Sequence, residues 1–473
     1  MAAIGVARVG NHPDFPPRAC MNDWYDAEQR VERAKELFDQ KKWPEALEEL
    51  RAAVSINPYN GGWFFNIGLT LDEMQQFDEA IDAYRHALEI EPDDVDALNH
   101  LGTDFSRMGQ HAEALKTFEH IERVDAAFEP SYCARIDTYR ELGDHEKAEE
   151  MFYTARQYKD ECPDCYYNMG LSLYDRGLFD KALYCWQKTL DLDESHPEIH
   201  LRIAEGYRSK GKFDKSRQHY LMELRQNPGD TETLLDLGEL LMDMDRLEEA
   251  GEKFRRAIEL APEHPSCHYC HGTWLSKTGR IDEAITAFMK TLQLDPTYPG
   301  AHLHLGRIYH LRQESEKARR HLRNEHLLVP EDPQMMLDLS NLLLDCGETS
   351  TAVVCLKRLT EKEPGNANAW QNLAVAYFHS DRHDEGIAAS RQALQCDPSH
   401  MMAMYNLAVA FEQLGRHGEA LEWVRTALAI DPRESAFQKL EIRLRFMQMK
   451  SKVGGVMRKV LRLRGGARKD QSV

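Results

Sequence analysis

Apolar residues recur at steps of three and four along most of this chain, and they come in paired runs. Leu98, Leu101 and Phe105 make one run, and Leu115, Phe118, Ile121 and Val124 make the next. Helical residues three and four apart share a face, so each run predicts an amphipathic α-helix. The break Met108-Gly109-Gln110 divides them, and the pair therefore reads as a helical hairpin. The same pair returns every 34 residues from Ala27 to Glu434, with no insertion or deletion.

Proline marks the period. Pro58 and Pro92, then Pro228, Pro262, Pro296, Pro330, Pro364, Pro398 and Pro432, all fall at repeat position 32. Ala126, Asp160 and Glu194 stand there in the other repeats, with Pro130, Pro163 and Pro197 slightly later. These are expected to keep a helix break without shifting register. Position 20 is small throughout: Ala in ten repeats, Ser216 and Gly386 in the others. Position 8 is also small, as at Gly68, Gly102, Gly170, Gly238 and Gly272, and departs from this only at Ile136. Two small columns on two helices predict a close crossing.

A small residue at 8, an aromatic or leucine at 11, alanine at 20, an aromatic near 24 and proline at 32 together resemble the tetratricopeptide repeat. Residues 401–434, with Tyr405, Asn406, Leu407, Phe411, Gly415, Ala420, Ala427 and Pro432, match closely, and repeat four is the weakest match. The resemblance spans 408 of 473 residues. It implies an all-α fold: an α-solenoid, a right-handed superhelix of about twelve 34-residue helix-turn-helix repeats, read as one continuous array. The expected repeats are 27–60, 61–94, 95–128, 129–162, 163–196, 197–230, 231–264, 265–298, 299–332, 333–366, 367–400 and 401–434. A mobile N-terminal lead-in over 1–26, a C-terminal capping helix over 435–452 and a basic amphipathic tail over 453–473 complete the expectation. Arg30 and Arg33 replace apolar residues in repeat one, which suits an outward-facing end.

Composition fits a cytoplasmic protein, with no export signal and no apolar run near the length of a membrane span. Ten cysteines then argue for a reducing compartment rather than a disulfide framework. Charge is uneven: residues 439–473 hold eleven Lys or Arg against two acids, leaving a net −29 on residues 1–438. The basic segment 452–469 is expected to contact anionic membrane or nucleic acid, or else to solvate the end of an acidic array.

Two cysteine motifs raise chemistry. Cys162-Pro163-Asp164-Cys165 opens repeat five, where a helix start lowers a thiol's pKa, but no redox-type βαβ pattern surrounds it, so packing is the expectation. Cys267-His268-Tyr269-Cys270-His271 has the spacing of a c-type haem attachment, although Gly272 beside it belongs to the packing column. Cys267, Cys270 and His304, which sits one repeat after Cys270, are the residues considered for zinc. No phosphate loop, nucleophile elbow or metalloprotease motif occurs, and neither enzyme activity nor a cofactor is expected.

The resemblance implies a groove lined by the first helices, at positions 2, 5, 9, 12 and 13. Its candidate peptide-binding residues here are Phe65, Tyr167, Leu171, Tyr174, Leu201, Glu205, Leu235, Glu239, Met242, Tyr269, Leu303, Leu337 and Tyr405. Position 5 is apolar in ten of twelve repeats, which inter-repeat packing would equally produce. Asp164, Asp175, Glu198, Glu205, Glu232, Glu239 and Asp243 make repeats five to seven an acidic wall, expected to attract basic-apolar peptide or helical segments of partner proteins.

The family's chaperone-tail pocket is matched at two of five places among Val31, Lys35, Asn66, Asp96 and His100. Its glycosyltransferase asparagine ladder survives only at Asn66, Asn168, Asn372 and Asn406. The function expected is a non-catalytic interaction scaffold. The alternatives are a regulatory or substrate-recognition subunit of a glycosyltransferase or secretion and assembly machine, and a zinc- or haem-binding repeat protein.

Overall fold

A computed structural model describes residues 21–159 and 161–466, with side chains described from 24 to 450. Among these residues there are twenty-five helices and no strand. They alternate as first and second helices of successive hairpins, for example Gly61–Glu73 with Phe77–Ile90, and Val95–Arg107 with His111–Val124. This is an all-α helical-repeat solenoid. Two compact units divide it, Met1–Thr233 and Leu234–Val473.

Five of the hairpins close on a ring seated over a glycine. Position 8 of the first helix faces position 24 of the second in the same repeat: Gly68 on Tyr84, Gly102 on Phe118, Gly170 on Trp186, Gly238 on Phe254 and Gly272 on Phe288. A Cβ at Gly102 would stand 2.5 Å from Phe118 Cε1, so only glycine lets the ring this close. These five rings are fully buried. Repeat eleven reverses the pair, with Phe378 from the first helix lying over Gly386 of the second. In repeat four Ile136 takes the glycine's place and Phe152 is 6% exposed, where Phe118 and Trp186 are at 0%.

Position 15 makes the turn between the two helices. It has positive φ in every repeat: Gly109, Gly143, Gly177, Gly211, Gly279, Gly347 and Gly415, but also Lys41, Gln75, Asp245, Gln313 and Asp381. Glycine supplies that conformation without steric cost, and the five other side chains hold it because the packed helices on either side fix it.

The proline column behaves differently from the sequence reading. In eleven of the twelve repeats the second helix ends one residue before position 31, with or without a proline following; in repeat nine it ends at Leu327, and Val329, before Pro330, has φ 56°. Asn57, before Pro58, has φ −131°, and Asp125, before Ala126, has φ −145°. Pro130 and Pro163 do not end a helix; they lie in the first turn of the next, where the missing N–H costs nothing.

The ends also differ. The first helix begins at Met21, inside the expected lead-in, and residues 1–20 lie outside the described residues. Arg30 bonds Asp26 at 3.2 Å and Glu49 at 3.0 Å, so this arginine ties the two helices of the first hairpin together. The last helix runs unbroken from Ser435 to Gly466, through Gly454 and Gly455, across the expected border between cap and tail. Phe437, Leu440 and Leu444 are buried against the last repeat.

Repeats two and three share a buried polar cluster. Tyr84 donates to Asp72 Oδ2 at 2.7 Å, His100 Nδ1 lies 3.6 Å from the same oxygen, and Arg107 reaches Asp104 Oδ1 at 3.2 Å. Asp72 Oδ1 and Asp104 Oδ2 are both buried and otherwise unpartnered, and a proton shared between the carboxyls satisfies both. Burial and the bond to Asp72 push Asp104 up to about 8. For Asp72 burial opposes ionisation, but hydrogen bonds from His100, Asp104 and Tyr84 outweigh it and hold its carboxyl low.

Two predictions follow from this packing. Gly102→Ala should destabilise the protein by about 1–3 kcal/mol through overpacking against Phe118, seen as a lower thermal midpoint, whereas Gly109→Ala should leave that ring undisturbed. Asp104 ionises near pH 4 when unfolded and near 8 when folded, so the native state holds the extra proton across that window. Its stabilising contribution is whole below the window and declines as pH rises through it. Asp104→Asn removes this titration, so its melting temperature relative to the parent should climb between about pH 5 and 8. A pH-independent offset would refute the shared proton.

Candidate functional site

Within each compact unit the first helices pack directly on one another. Val95–Arg107, Glu129–Glu141 and Pro163–Asp175 do so in the first unit. Ala301–Leu311, Pro333–Asp345, Ala367–His379 and Met401–Gln413 do so in the second. Second helices approach their counterparts less closely, so the first-helix layer is the inner one in each unit.

The expected groove residues lie in this layer with unequal exposure. Leu201, Leu235 and Leu303 are buried, taken up by packing between neighbouring helices. Phe65, Tyr167, Leu171, Tyr174, Glu205, Glu239, Met242, Tyr269, Leu337 and Tyr405 are half-buried and keep an accessible edge. Their inner edges meet the helix that follows in this layer: Phe65 lies 5.5 Å from the His100 ring, the Tyr167 hydroxyl 3.1 Å from Arg202 Nε, Tyr269 5.5 Å from the His304 ring and Tyr405 5.6 Å from Phe437 of the last helix. Tyr174 shares a 2.7 Å hydroxyl contact with Ser209. Tyrosines held on two sides present rigid surface.

The acidic wall of repeats five and six is partly neutralised from within. Arg202 donates to Glu198 at 2.8 Å, to Glu205 at 3.2 Å and to the Tyr167 hydroxyl at 3.1 Å. Arg140 reaches Asp175 at 3.3 Å, and Asp164 holds His196 at 3.1 Å. Counting acids alone overlooks these bases. Arg140 and His196 meet their acids about one repeat away, whereas Arg202 meets Glu198 and Glu205 four and three residues away on its own helix, and both separations are legible in the sequence.

Cys267, Cys270 and His304 do not converge on a metal position. Both thiols are buried, and Cys270 Sγ donates to Glu239 Oε1 at 3.6 Å. His304 stacks on Phe288 at 4.9 Å, and burial holds it neutral with a pKa lowered to about 4. His271, the imidazole of the haem-like spacing, stacks on Trp274 at 5.3 Å.

The thiols that gather are those assigned to packing. Among the described residues, one group of potential metal ligands converges: Glu129, Cys133, Cys162 and Cys165, with all donor atoms within 4.8 Å of one another. Glu129 and Cys133 stand one turn apart at the start of helix Glu129–Glu141. Cys162 caps helix Pro163–Asp175, its sulfur accepting the Cys165 N–H at 3.1 Å. Cys133 Sγ is 2.9 Å from Cys165 Sγ, 3.4 Å from Cys162 Sγ and 3.2 Å from Glu129 Oε1.

Hydrogen bonds from Cys133 and Cys165 pull the Cys162 thiol far below its ordinary value, and those same bonds push Cys133 up. For Cys165 the contact with Cys133 favours the thiolate, but the bond to Cys162 and burial outweigh it and raise the thiol. The sequence signal was Cys133 placed 32 residues before Cys165, two short of one repeat. The membrane and nucleic-acid expectation for 452–469 concerns side chains beyond residue 450, outside those described. No helix among the described residues is long and apolar enough to cross a membrane.

Four family models match. Three are described as tetratricopeptide repeat, over residues 366–433, 63–94, and 167–231 with 201–265, and one as TPR repeat over 275–312. No curated protein matches by sequence. Among solved structures, the APC/C hetero-tetramer Cut9-Hcn1 is similar with 18% identity and a TM-score of 0.44, covering 89% of this chain and 84% of that one. Yeast Tom70 shows 16% identity and a TM-score of 0.39, with 96% and 100% covered. YrrB, a TPR protein with an unusual peptide-binding site, shows 21% and 0.37, with 41% and 98% covered. The ring-on-glycine hairpins and the matches spread along the sequence lead to one assignment: this chain belongs to the tetratricopeptide repeat family.

Proposed function

We propose that this protein is an interaction scaffold whose first-helix faces hold extended or helical segments of partner proteins. Membership of the family supports a protein-interaction role, and the half-buried aromatic row carries the finer reading. Phe65, Tyr167 and Tyr174 in the first unit, and Tyr269 and Tyr405 in the second, are braced by the helix that follows in this layer and leave one edge accessible. A braced ring loses little conformational freedom when a partner covers it, so more of the buried apolar area appears as affinity.

Partners with Lys or Arg between apolar anchors suit the net −29 of residues 1–438. Arg140 and Arg202 already pair with Asp175, Glu198 and Glu205, so apolar anchoring outweighs charge in setting affinity there. Buried Leu201, Leu235 and Leu303 serve as the floor behind the anchors rather than as contacts.

The test compares partners captured from source-cell extract by the tagged full chain with those captured by Tyr167→Ala/Tyr174→Ala, at low and high salt. Loss of about 1–2 kcal/mol per aromatic anchor should reduce capture at least about tenfold while the circular dichroism stays helical. A salt-resistant partner retained equally by both proteins would refute the first-unit face as the binding surface.

A further inference from the structure

We propose that Glu129, Cys133, Cys162 and Cys165 form a zinc site that clamps repeat four to repeat five. The donor set is three thiols and one carboxylate, the number and softness of ligands that zinc takes in closed structural sites. The geometry of the fold assembles it. Cys162 and Cys165 span the first turn of Pro163–Asp175 in C-x-x-C spacing, while Glu129 and Cys133 lie at i and i+4 on Glu129–Glu141. Two helix starts, one from each repeat, thus supply two donors each, as paired zinc-ligand elements do.

The cluster is closed to solvent. Cys133, Cys162 and Cys165 are 7%, 2% and 0% exposed, and the Glu129 side chain is 14% exposed. Tetrahedral zinc with Zn–S of about 2.3 Å sets sulfurs about 3.8 Å apart, so the observed separations open by at most about 1 Å on loading. Surrounding bonds hold the donors in place. Lys159 Nζ contacts Glu129 Oε2 at 3.3 Å, leaving Oε1 toward the sulfurs, and Asn168 donates to the Cys133 carbonyl at 2.8 Å. Loading one Zn²⁺ transfers the thiol protons to solvent and replaces S–H contacts by Zn–S bonds, with no change in oxidation state.

A packing role does not account for the carboxylate, because a half-buried Glu129 aimed at three sulfurs gains nothing from apolar contact. A disulfide between any two of the cysteines would strand the third thiol and the carboxylate. The location supplies a reason for a clamp. Repeat four is the one repeat whose position 8 is not small, with Ile136 opposite Phe152, and metal ligation across its joint with repeat five adds a tie beyond the packing of its own hairpin.

The experiment uses the full chain carrying no histidine tag, purified under a phosphine reductant. Elemental analysis should find one zinc per chain. Exchange with Co²⁺ should give thiolate charge-transfer and tetrahedral ligand-field absorption, and chelation should lower the thermal midpoint. Cys133→Ser and Cys165→Ser should lose the metal, whereas Cys267→Ala/Cys270→Ala should keep it. Should the serine variants misfold, Glu129→Gln preserves shape and should weaken zinc at least about tenfold against a competing chelator. Failure of the folded, reduced chain to take up stoichiometric Zn²⁺ overturns the proposal. So does a Cys133–Cys165 disulfide in unoxidised protein, or retention of Co²⁺ absorption in all three variants. None of these readouts depends on partner capture.

Discussion

The close approach of an aromatic ring to a glycine, position 24 on position 8, is the contact from which the rest of this structure follows. In the five hairpins that have it, it sets the distance between the two helices at the point where they cross, and small residues at position 8 keep that crossing close in most of the others. A ring there fills the crossing completely, as the full burial of Tyr84, Phe118, Trp186, Phe254 and Phe288 shows. Close packing leaves little latitude, so volume is exchanged rather than added. Repeat eleven moves the ring to the first helix and the glycine to the second, conserving the fit with the roles reversed.

Between hairpins the apolar contacts are supplemented by polar bonds at nearly one repeat of separation. Ser106 meets Thr138 at 3.0 Å, Asn168 reaches the Cys133 carbonyl, Arg307 reaches Asp338 at 2.7 Å and Asn372 meets Asn341 at 2.6 Å. Single hydrogen bonds of this kind contribute only about 0.5–1.5 kcal/mol each. Their partners are available only when adjacent first helices are in register, so they specify alignment while apolar burial supplies stability. Repeat four puts Ile136 in place of a small residue at position 8 and follows the second rule closely, and the sulfur-rich joint with repeat five lies beside it.

This division of labour bears on how the inner face binds. A residue at position 5 serves two masters, packing on the following repeat and presenting an edge to a partner. At Leu201, Leu235 and Leu303 packing consumes it, although Leu337 stays half-buried. Where it is aromatic, as at Tyr167, Tyr269 and Tyr405, the ring is long enough to do both. Aromatic repeats are therefore the places where the array offers rigid apolar surface.

The sequence by itself determined the helices, their pairing and the columns that lock them, because all of these rest on contacts within 34 residues. Gly102 with Phe118 and the position-15 turn are local, and local spacing is legible in a linear pattern. It also pointed to tetratricopeptide repeats and to which helices would face inward. What the tertiary structure decided were relations between repeats. It showed that Arg202 and Arg140 occupy the acidic wall, that three leucines of the candidate groove are consumed by packing, and that the last helix runs through Gly454 and Gly455. It also moved the cysteine chemistry from Cys267 and Cys270 to Cys133, Cys162 and Cys165. For the Arg140–Asp175 pair, the buried leucines and the thiol cluster the physical reason is the same: whether a side chain from one repeat meets another depends on how helices stack, and motif spacing within one segment carries no information about its neighbour's side chains.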